Sequence, residues 1–385
     1  MAIGKGDIAA KVKALGVKLS SLAAPKETIV AIDIGSSGIK MAGIKKGSSP
    51  PKLESLTHRA FNLKDIPIEE AARQDFLVRE IKTGLGSLGV KNPLAATSIS
   101  GSSVIVREAK LPSLPADQLE KTLSFEAEPF IPFDIREVTL DYYIIGSVVD
   151  EGQNKYETIL VAAKKDLIES RLSIFTASGA RPVVVDIDAF AVASLLDLIP
   201  AAAQETVVVV NVGATITNLA IVEKGVPRVV RDVAIAGGAF TRALDNAFSI
   251  GAEEAEKFKK ASGIMLDETE KANLQNQEGG PQKLQAADVL AGVASDLFAE
   301  INKSTDFYMT HGVDRTISRL YITGGGAMLK NLVPFAASQL KTQVELLNPF
   351  DLLGAPGSGI GLESGPMFAV ACGLAMRRWN DWVKV

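Results

Sequence analysis

Val30–Gly47 reads VAIDIGSSGIKMAGIKKG, and Val208–Gly225 reads VVVNVGATITNLAIVEKG. The two stretches align without a gap. Asp33 faces Asn211, Gly35 faces Gly213, Ser37 faces Thr215, Met41 faces Leu219, Ala42 faces Ala220 and Gly47 faces Gly225. Each block is an apolar strand, a turn of glycine and hydroxyl residues, a second strand, and a glycine that ends it. A third strand follows each block, over 53–61 and over 227–236. A helix follows each third strand, over 68–88 and over 238–248. A repeat this long predicts a duplicated domain rather than a solenoid of short units.

Between the halves, the pattern over 102–179 predicts strands at 104–110, 139–149 and 156–163 with helices at 116–127 and 165–178. That is an α+β unit inserted in the first domain. In the second half a helix is expected over 252–262. The polar run 267–287, with Asn273, Gln275, Asn276, Gln277, Gly279, Gly280 and Pro281, reads as a loop. A long helix follows over 288–309, then a strand at 320–323, a triple-glycine turn, a helix over 328–340, a strand at 343–347 and a last helix over 366–378. The first 27 residues stand apart. Ile8, Val12, Leu15, Leu19 and Leu22 form a narrow helical stripe with Lys11, Lys13 and Lys18 off it. This arm is expected either to pack on its own body or stay mobile, or to offer an amphipathic helix to a partner or to anionic lipid.

Composition narrows the classes. The chain has 385 residues, 47% hydrophobic and 22% charged, enough for a large core and two or three domains. A net charge of -4 excludes a globally basic nucleic-acid binder. The one cysteine, Cys372, excludes an internal disulfide framework and a cysteine-rich zinc site. His58 and His311 are too few and too far apart for a histidine metal centre, and both read as structural. The richest apolar run, over 182–203, is cut by Asp186, Asp188, Asp197 and Pro200, so no bilayer span is expected. No signal peptide is read at the start. The expectation is a cytoplasmic protein whose membrane contact is peripheral or through a partner.

The turns carry the chemistry. Gly35 lets the backbone bend close to an anion. The N–H groups of Gly35, Ser36, Ser37 and Gly38 can form a nest, the serine hydroxyls add donors, and Lys40 supplies a point charge for phosphate. Asp33 would repel phosphate directly, and makes sense with a hydrated Mg²⁺ between them. Alone, DIGSSG also fits an ordinary hairpin. Two gapless copies are stronger, since two such turns can clamp one polyphosphate in a cleft between two domains. Thr323–Gly324–Gly325–Gly326 forms a third turn, on which a flat ring or ribose can lie; a helix start that simply needs glycine is the alternative.

In this order and with this repeat, the three turns resemble those of the actin-like ATPase superfamily. The resemblance runs over 28–378 and implies an α/β, actin-like (ribonuclease H-like) duplicated two-domain fold. It implies domain I over 28–101, 180–204 and 366–385, an inserted subdomain over 102–179, and domain II over 205–365. It makes the first turn phosphate loop one (Asp33, Gly35, Ser36, Ser37, Lys40). The second becomes phosphate loop two (Asn211, Gly213, Thr215, with Gly237 and Gly238). The third becomes the adenosine loop (Gly324, Gly325, Gly326). Helices over 189–198 and 366–378 would cross between the domains. Glu256 and Lys259 match the family's nucleoside-side Glu and Lys. The implied cofactors are ATP or ADP with Mg²⁺, the metal near Asp33 through water.

Within the superfamily, the insert resembles the PilM family of type IV pilus assembly proteins, at EAEPFIPF over Glu126–Phe133 and EVTLDY over Glu137–Tyr142. FAEINKSTDFY over Phe298–Tyr308 and GLAMR over Gly373–Arg377 resemble its later helices. This implies a cytoplasmic ATP-binding adaptor at the inner-membrane face that serves twitching motility. It would hold the N-terminal tail of PilN in a groove beside the insert, where Phe130, Phe133, Tyr142 and Tyr143 are the candidate contacts. Packing of those aromatics against the body is the alternative. Other platform components and the pilus motor ATPases are further implied partners, and nucleic acid is not.

One residue departs from the family pattern. Phosphate loop two begins with Asn211 where the family has Asp. An amide accepts a hydrogen bond but brings no charge for a hydrated cation and no base near pH 7, so weak or absent hydrolysis is expected. Asp188 matches a water-orienting position, or caps its helix. Cys372 reads as a buried small hydrophobe. Trp379 and Trp382 either fold back or touch a membrane surface. Two other functions share the superfold: a filament-forming protein of the cell-division (FtsA) or shape-determining (MreB) type, and a small-molecule kinase. A kinase needs a carboxylate base beside its acceptor, and no acceptor-site signature is found.

Overall fold

The two blocks become the same hairpin twice. In chain order the strands are β1 (Ile29–Gly35), β2 (Gly38–Ile44), β3 (Leu53–Ala60), β4 (Leu94–Ile99), β5 (Val104–Pro112), β6 (Val138–Asp150) and β7 (Gln153–Lys164). They continue as β8 (Arg181–Ile187), β9 (Thr206–Val212), β10 (Thr217–Glu223), β11 (Val226–Val233), β12 (Arg319–Thr323) and β13 (Gln343–Leu346). The computed structural model describes residues 29–45, 48, 50–266, 268–310, 315–340, 342–355, 357 and 359–377. The expected arm over 1–27, His311, Trp379 and Trp382 lie outside them. The chain divides into two compact units, one within Met1–Ser194, Arg228–Val230 and Val370–Val385, the other Leu195–Pro227 and Arg231–Ala369.

The first unit holds a five-stranded sheet of order β3-β2-β1-β4-β8. β1 pairs antiparallel with β2, Gly35 opposite Gly38, so Ser36 and Ser37 are the whole loop. β1 also pairs parallel with β4, and β4 with β8. A central strand covered on both faces is continuously apolar, which is why β1 reads as a run rather than an alternation. Val30, Ile32, Ile39 and Met41 pack with Ile81 and Leu85 of the helix Glu70–Ser87 and with Ile174 and Phe175 of the helix Lys165–Ala177. Glu69 caps the first of these helices by accepting from the N–H groups of Ala71 and Ala72. Past its end, Gly89 adopts φ 68°, a left-handed stop. On the other side of the chain's repeat, strands β4 and β8 carry no turn motif, and sequence reading does not pick them out.

The insert is a three-stranded sheet of order β5-β7-β6 under the helix Ala116–Ala127. Leu111, Leu119, Leu123, Ile131, Val138 and Leu160 are its core. The helix Lys165–Ala177 follows β7 but buries Ile174 and Phe175 in the core of the five-stranded sheet.

The second unit repeats the first: its sheet runs β11-β10-β9-β12-β13, with β9 antiparallel to β10 and parallel to β12. The run over 267–287, expected as a loop, is mostly helical. A helix Glu268–Gln275 precedes a long helix Gly280–Thr310, which starts eight residues earlier than expected. Ala286, Ala287 and Leu290 continue the buried stripe of that helix, so one apolar face suffices although the rest is polar. The sharp turn between the two helices needs glycine: Gly279 has φ 70°. The two expected crossing helices are shorter than read. The first is Asp188–Ala193, continued by a tighter 3-10 turn Ser194–Leu198; the last is Ala369–Ala375, preceded by the 3-10 segment Leu362–Phe368. The helix expected over 328–340 is a 3-10 turn Gly325–Met328 followed by Leu332–Gln339.

Candidate functional site

In the first unit the β1–β2 hairpin sets Asp33 directly opposite Lys40, and Lys40 opposite His58 of β3. Lys40 Nζ lies 3.5 Å from Asp33 Oδ2, and both side chains are buried. A methyl on Gly35 would stand 3.1 Å from that ammonium, which places the Lys40 charge against the turn. A methyl on Gly38 would stand 2.5 Å from the Arg59 carbonyl, so only glycine closes the loop there. Ser36 and Ser37 are exposed at its tip. Burial pushes the Asp33 carboxyl up, Lys40 opposes it, and the Asp188 charge adds to the rise. Burial, then Lys40 and Arg59, hold His58 down at about 4, so a neutral ring backs the turn.

Asp188 opens the helix Asp188–Ala193, with Ile187 in the cap position and no side-chain cap bond. The capping alternative is thereby replaced: Ser100 Oγ donates to Asp188 Oδ2 at 2.6 Å, and the Asp188 charge reaches Asp33. Sequence reading missed Arg171. It sits on the helix Lys165–Ala177, where burial pushes its guanidinium down against the pull of Asp188 and then Asp33. No motif marks it, because its nearness to the two carboxyls is made by the fold and not by spacing. Asp33, Lys40, Asp188 and Arg171 thus share one electrostatic neighbourhood.

In the second unit the adjacent parallel strands β9 and β12 set Asn211 opposite Thr323 and bring two turns together at their carboxyl ends, where ligands of α/β sheets bind. Gly213 N–H donates to the Ile216 carbonyl at 3.1 Å, and a methyl there would stand 2.5 Å from that oxygen. Thr215 is exposed at the tip. Gly324 has φ 90°; methyls on Gly324 and Gly326 would meet Val212 at 2.5 and 2.4 Å. These turns form cradles that only glycine can line. Gly237 and Gly238 donate their N–H groups to the Gly213 and Ala214 carbonyls at 2.9 and 2.7 Å. Their amides hold the Gly213 turn in shape.

Glu256 and Lys259, one turn apart on the helix Ala252–Ser262, close on the start of the helix Gly237–Phe248. Lys259 Nζ donates to Glu256 Oε2 at 2.6 Å, to Thr241 Oγ1 at 3.0 Å and to the Gly237 carbonyl at 3.1 Å. Burial pushes the Glu256 carboxyl up, but the hydrogen bonds from Lys259 and Thr241 outweigh it and hold it below the usual range. Asn211, Gly213, Gly237, Gly238, Glu256, Lys259 and Gly324 thus belong to one neighbourhood of the second unit.

Each unit by itself carries groups whose chemistry suits a nucleotide with a cation: in the first, Lys40 and the Asp33 carboxyl beside the Gly35 turn; in the second, Lys259 and the glycine cradles of the Gly213 and Gly324 turns. Among the described residues no group of three or more His, Cys, Asp or Glu gathers to hold a metal. A divalent cation at Asp33 would complete its shell with water and phosphate oxygens, as Mg²⁺ does.

The insert separates the four aromatic candidates. Phe130, Phe133 and Tyr142 pack against the core under the helix Ala116–Ala127. Tyr143, the next residue along β6, points to the opposite face. The Lys164 ammonium stands 5.1 Å over the Phe133 ring. Phe125, on the same helix, is 76% exposed. Cys372 is buried, and burial pushes its thiol up, away from the reactive thiolate. Among the described residues no helix is long and apolar enough to cross a membrane.

Three findings from known proteins bear on these features. A family model described as type IV pilus assembly protein PilM matches residues 31–379. A solved PilM-PilN type IV pilus biogenesis complex is similar with a TM-score of 0.74 and 26% identity, covering 91% of this chain and 98% of that one. The ethanolamine utilization protein EutJ from Carboxydothermus hydrogenoformans shares the fold, with a TM-score of 0.52 and 16% identity over 91% of this chain and 90% of its own. The fold is the actin-like one.

Proposed function

Because this chain belongs to the PilM family of type IV pilus assembly proteins, we propose that it is an ATP- or ADP-binding adaptor of the pilus inner-membrane platform. It works at the cytoplasmic face and holds the N-terminal tail of a PilN protein. The observation that carries the nucleotide half is the pair of glycine turns of the second unit, closed on each other around Asn211, Gly213 and Gly324. Gly324, Gly325 and Gly326 line the nucleoside, with Glu256 and Lys259 beside it. Gly213 and Thr215 contact phosphate, and Gly237 and Gly238 keep that turn in shape. In the first unit Gly35, Ser36, Ser37 and Lys40 contact phosphate. A bound Mg²⁺ would offset phosphate charge beside Asp33. Asp188, held by Ser100, orients water.

The partner half is supported by the similarity to the PilM-PilN complex. The insert supplies the contact, and its two faces are separate candidates. Fluorescent-nucleotide and tail-peptide titrations test both halves. Gly213→Glu is expected to abolish nucleotide binding and leave the peptide bound; unchanged nucleotide affinity in a folded variant sinks the nucleotide half. Phe133→Glu and Tyr143→Glu separate the faces of the insert. If the PilN tail binds both variants as it binds the native chain, the groove lies elsewhere.

A further inference from the structure

Asn211, Asn218 and Asp232 stand on β9, β10 and β11 and form one hydrogen-bond chain. Asn211 Nδ2 donates to Asn218 Oδ1 at 3.0 Å, and Asn218 Nδ2 donates to Asp232 Oδ1 at 2.7 Å. Asn211 and Asn218 are 9% and 4% exposed. A side-chain amide has a donor and an acceptor, and a half-turn about its last bond exchanges them. An ionised carboxylate only accepts. The chain therefore has one self-consistent direction. Asp232 takes a hydrogen from Asn218 Nδ2, so Asn218 Oδ1 is left to accept. Asn211 Nδ2 fills that place, and Asn211 Oδ1 is turned away from the chain. It faces the third turn, where a methyl on Gly324 would stand 2.5 Å from it.

We propose that Asp232 is a positioning residue that fixes Asn211 as a hydrogen-bond acceptor toward the ligand of the Gly213 and Gly324 turns, a water in the shell of a nucleotide-bound divalent cation. The inference rests on the nucleotide reading above. The first unit shows why the device is needed. In the repeat Asp33 stands where Asn211 does, and Lys40 where Asn218 does. Asp33 accepts whichever way it is turned. An amide in that place is ambiguous, and the carboxylate two strands away removes the ambiguity. At a strand spacing of about 4.8 Å, Asp232 is roughly 10 Å from β9, too far to serve the cation's shell itself.

Asp232→Asn is nearly isosteric and offers a donor as well as an acceptor, so both directions of the chain become possible. Calorimetric titration of ADP into the full chain, with and without Mg²⁺, reads the effect. In the native protein Mg²⁺ is expected to tighten ADP. In Asp232→Asn that tightening is expected to shrink by about tenfold, the weight of one charge-assisted hydrogen bond. Affinity for metal-free ADP is expected to change by less than about twofold. Asn211→Asp added to Asp232→Asn is expected to restore the Mg²⁺ effect, because a carboxylate at 211 accepts without help. An undiminished Mg²⁺ effect in Asp232→Asn, or no recovery in the double variant, overturns the proposal. If the native chain takes no ADP, the nucleotide reading fails, and the side-chain amide NMR signals decide the positioning role. Slow exchange of the Asn211 and Asn218 amides, lost in Asp232→Asn, supports it; signals unchanged by that substitution overturn it.

Discussion

At Asn211 the chain places an amide where its own first half places Asp33, and the two positions behave differently for that reason. Asp33 brings an ionisable carboxyl, which burial pushes up and the Lys40 charge pulls down. Asn211 brings none. Turnover of ATP is expected to lie well below about 1 per second, the low end of the usual enzyme range, and Asn211→Asp to raise it; a coupled phosphate-release assay checks both. A second residue is a pH sensor for stability. Burial pushes the Asp141 carboxyl of β6 from 3.8 up to about 8, against the bond it accepts from the Tyr142 N–H. The folded chain keeps the proton that the unfolded chain releases, so stability falls as pH rises from about 4 to about 8 and then levels. Thermal unfolding at pH 5 and pH 8 is expected to show a lower midpoint at pH 8. Asp141→Asn is expected to raise the pH 8 midpoint and flatten the dependence.

Among the elements, the two short helices Asp188–Ala193 and Ala369–Ala375 meet backbone to backbone. A methyl on Gly373 would stand 1.8 Å from the Ala191 carbonyl, closer than any rotamer change relieves. The crossing is therefore set by the absence of a side chain. Gly373→Ala is expected to cost about 1–3 kcal/mol, the range of overpacked cores, read by urea denaturation. Asp188 rides on the first of these helices, so the same substitution is expected to shift its carboxylate against Ser100. The hairpins behave as a second kind of element. Each turn is held by a neighbour, the Phe61 N–H donating to the Ser37 carbonyl in one unit and the Gly237 and Gly238 N–H groups donating to the second turn in the other.

Over the whole molecule, the end of the described chain is tied to a strand far earlier in sequence. Arg377 Nη2 lies 2.6 Å from Asp186 Oδ2 and its Nε donates to the same oxygen at 2.8 Å, with both residues buried. Removing one partner of such a pair leaves a buried charge alone. Arg377→Ala is expected to destabilise the protein by about 3–5 kcal/mol, seen as an earlier denaturant midpoint at unchanged slope. The pair ties the residue two past the last helix, a segment that follows the whole second half in sequence, to β8 of the first unit's sheet.

The sequence by itself determined the duplication, the three glycine turns and the family. Those features are local: an apolar run, a glycine at a bend and a fixed repeat need no partner elsewhere in the chain. Resemblance to the actin-like family also marked Glu256 and Lys259, which the structure gathers beside Gly237. Only the tertiary structure decided the rest. Arg171 and Asp232 carry no motif, since their roles come from strands and helices brought together across long stretches of chain. Tyr142 and Tyr143 look alike in sequence, but the two-residue period of a strand sends them to opposite faces. The polar run before the long helix read as a loop because composition reports solvent exposure, whereas a helix needs only one buried stripe, supplied here by Ala286, Ala287 and Leu290 against the rest of the second unit.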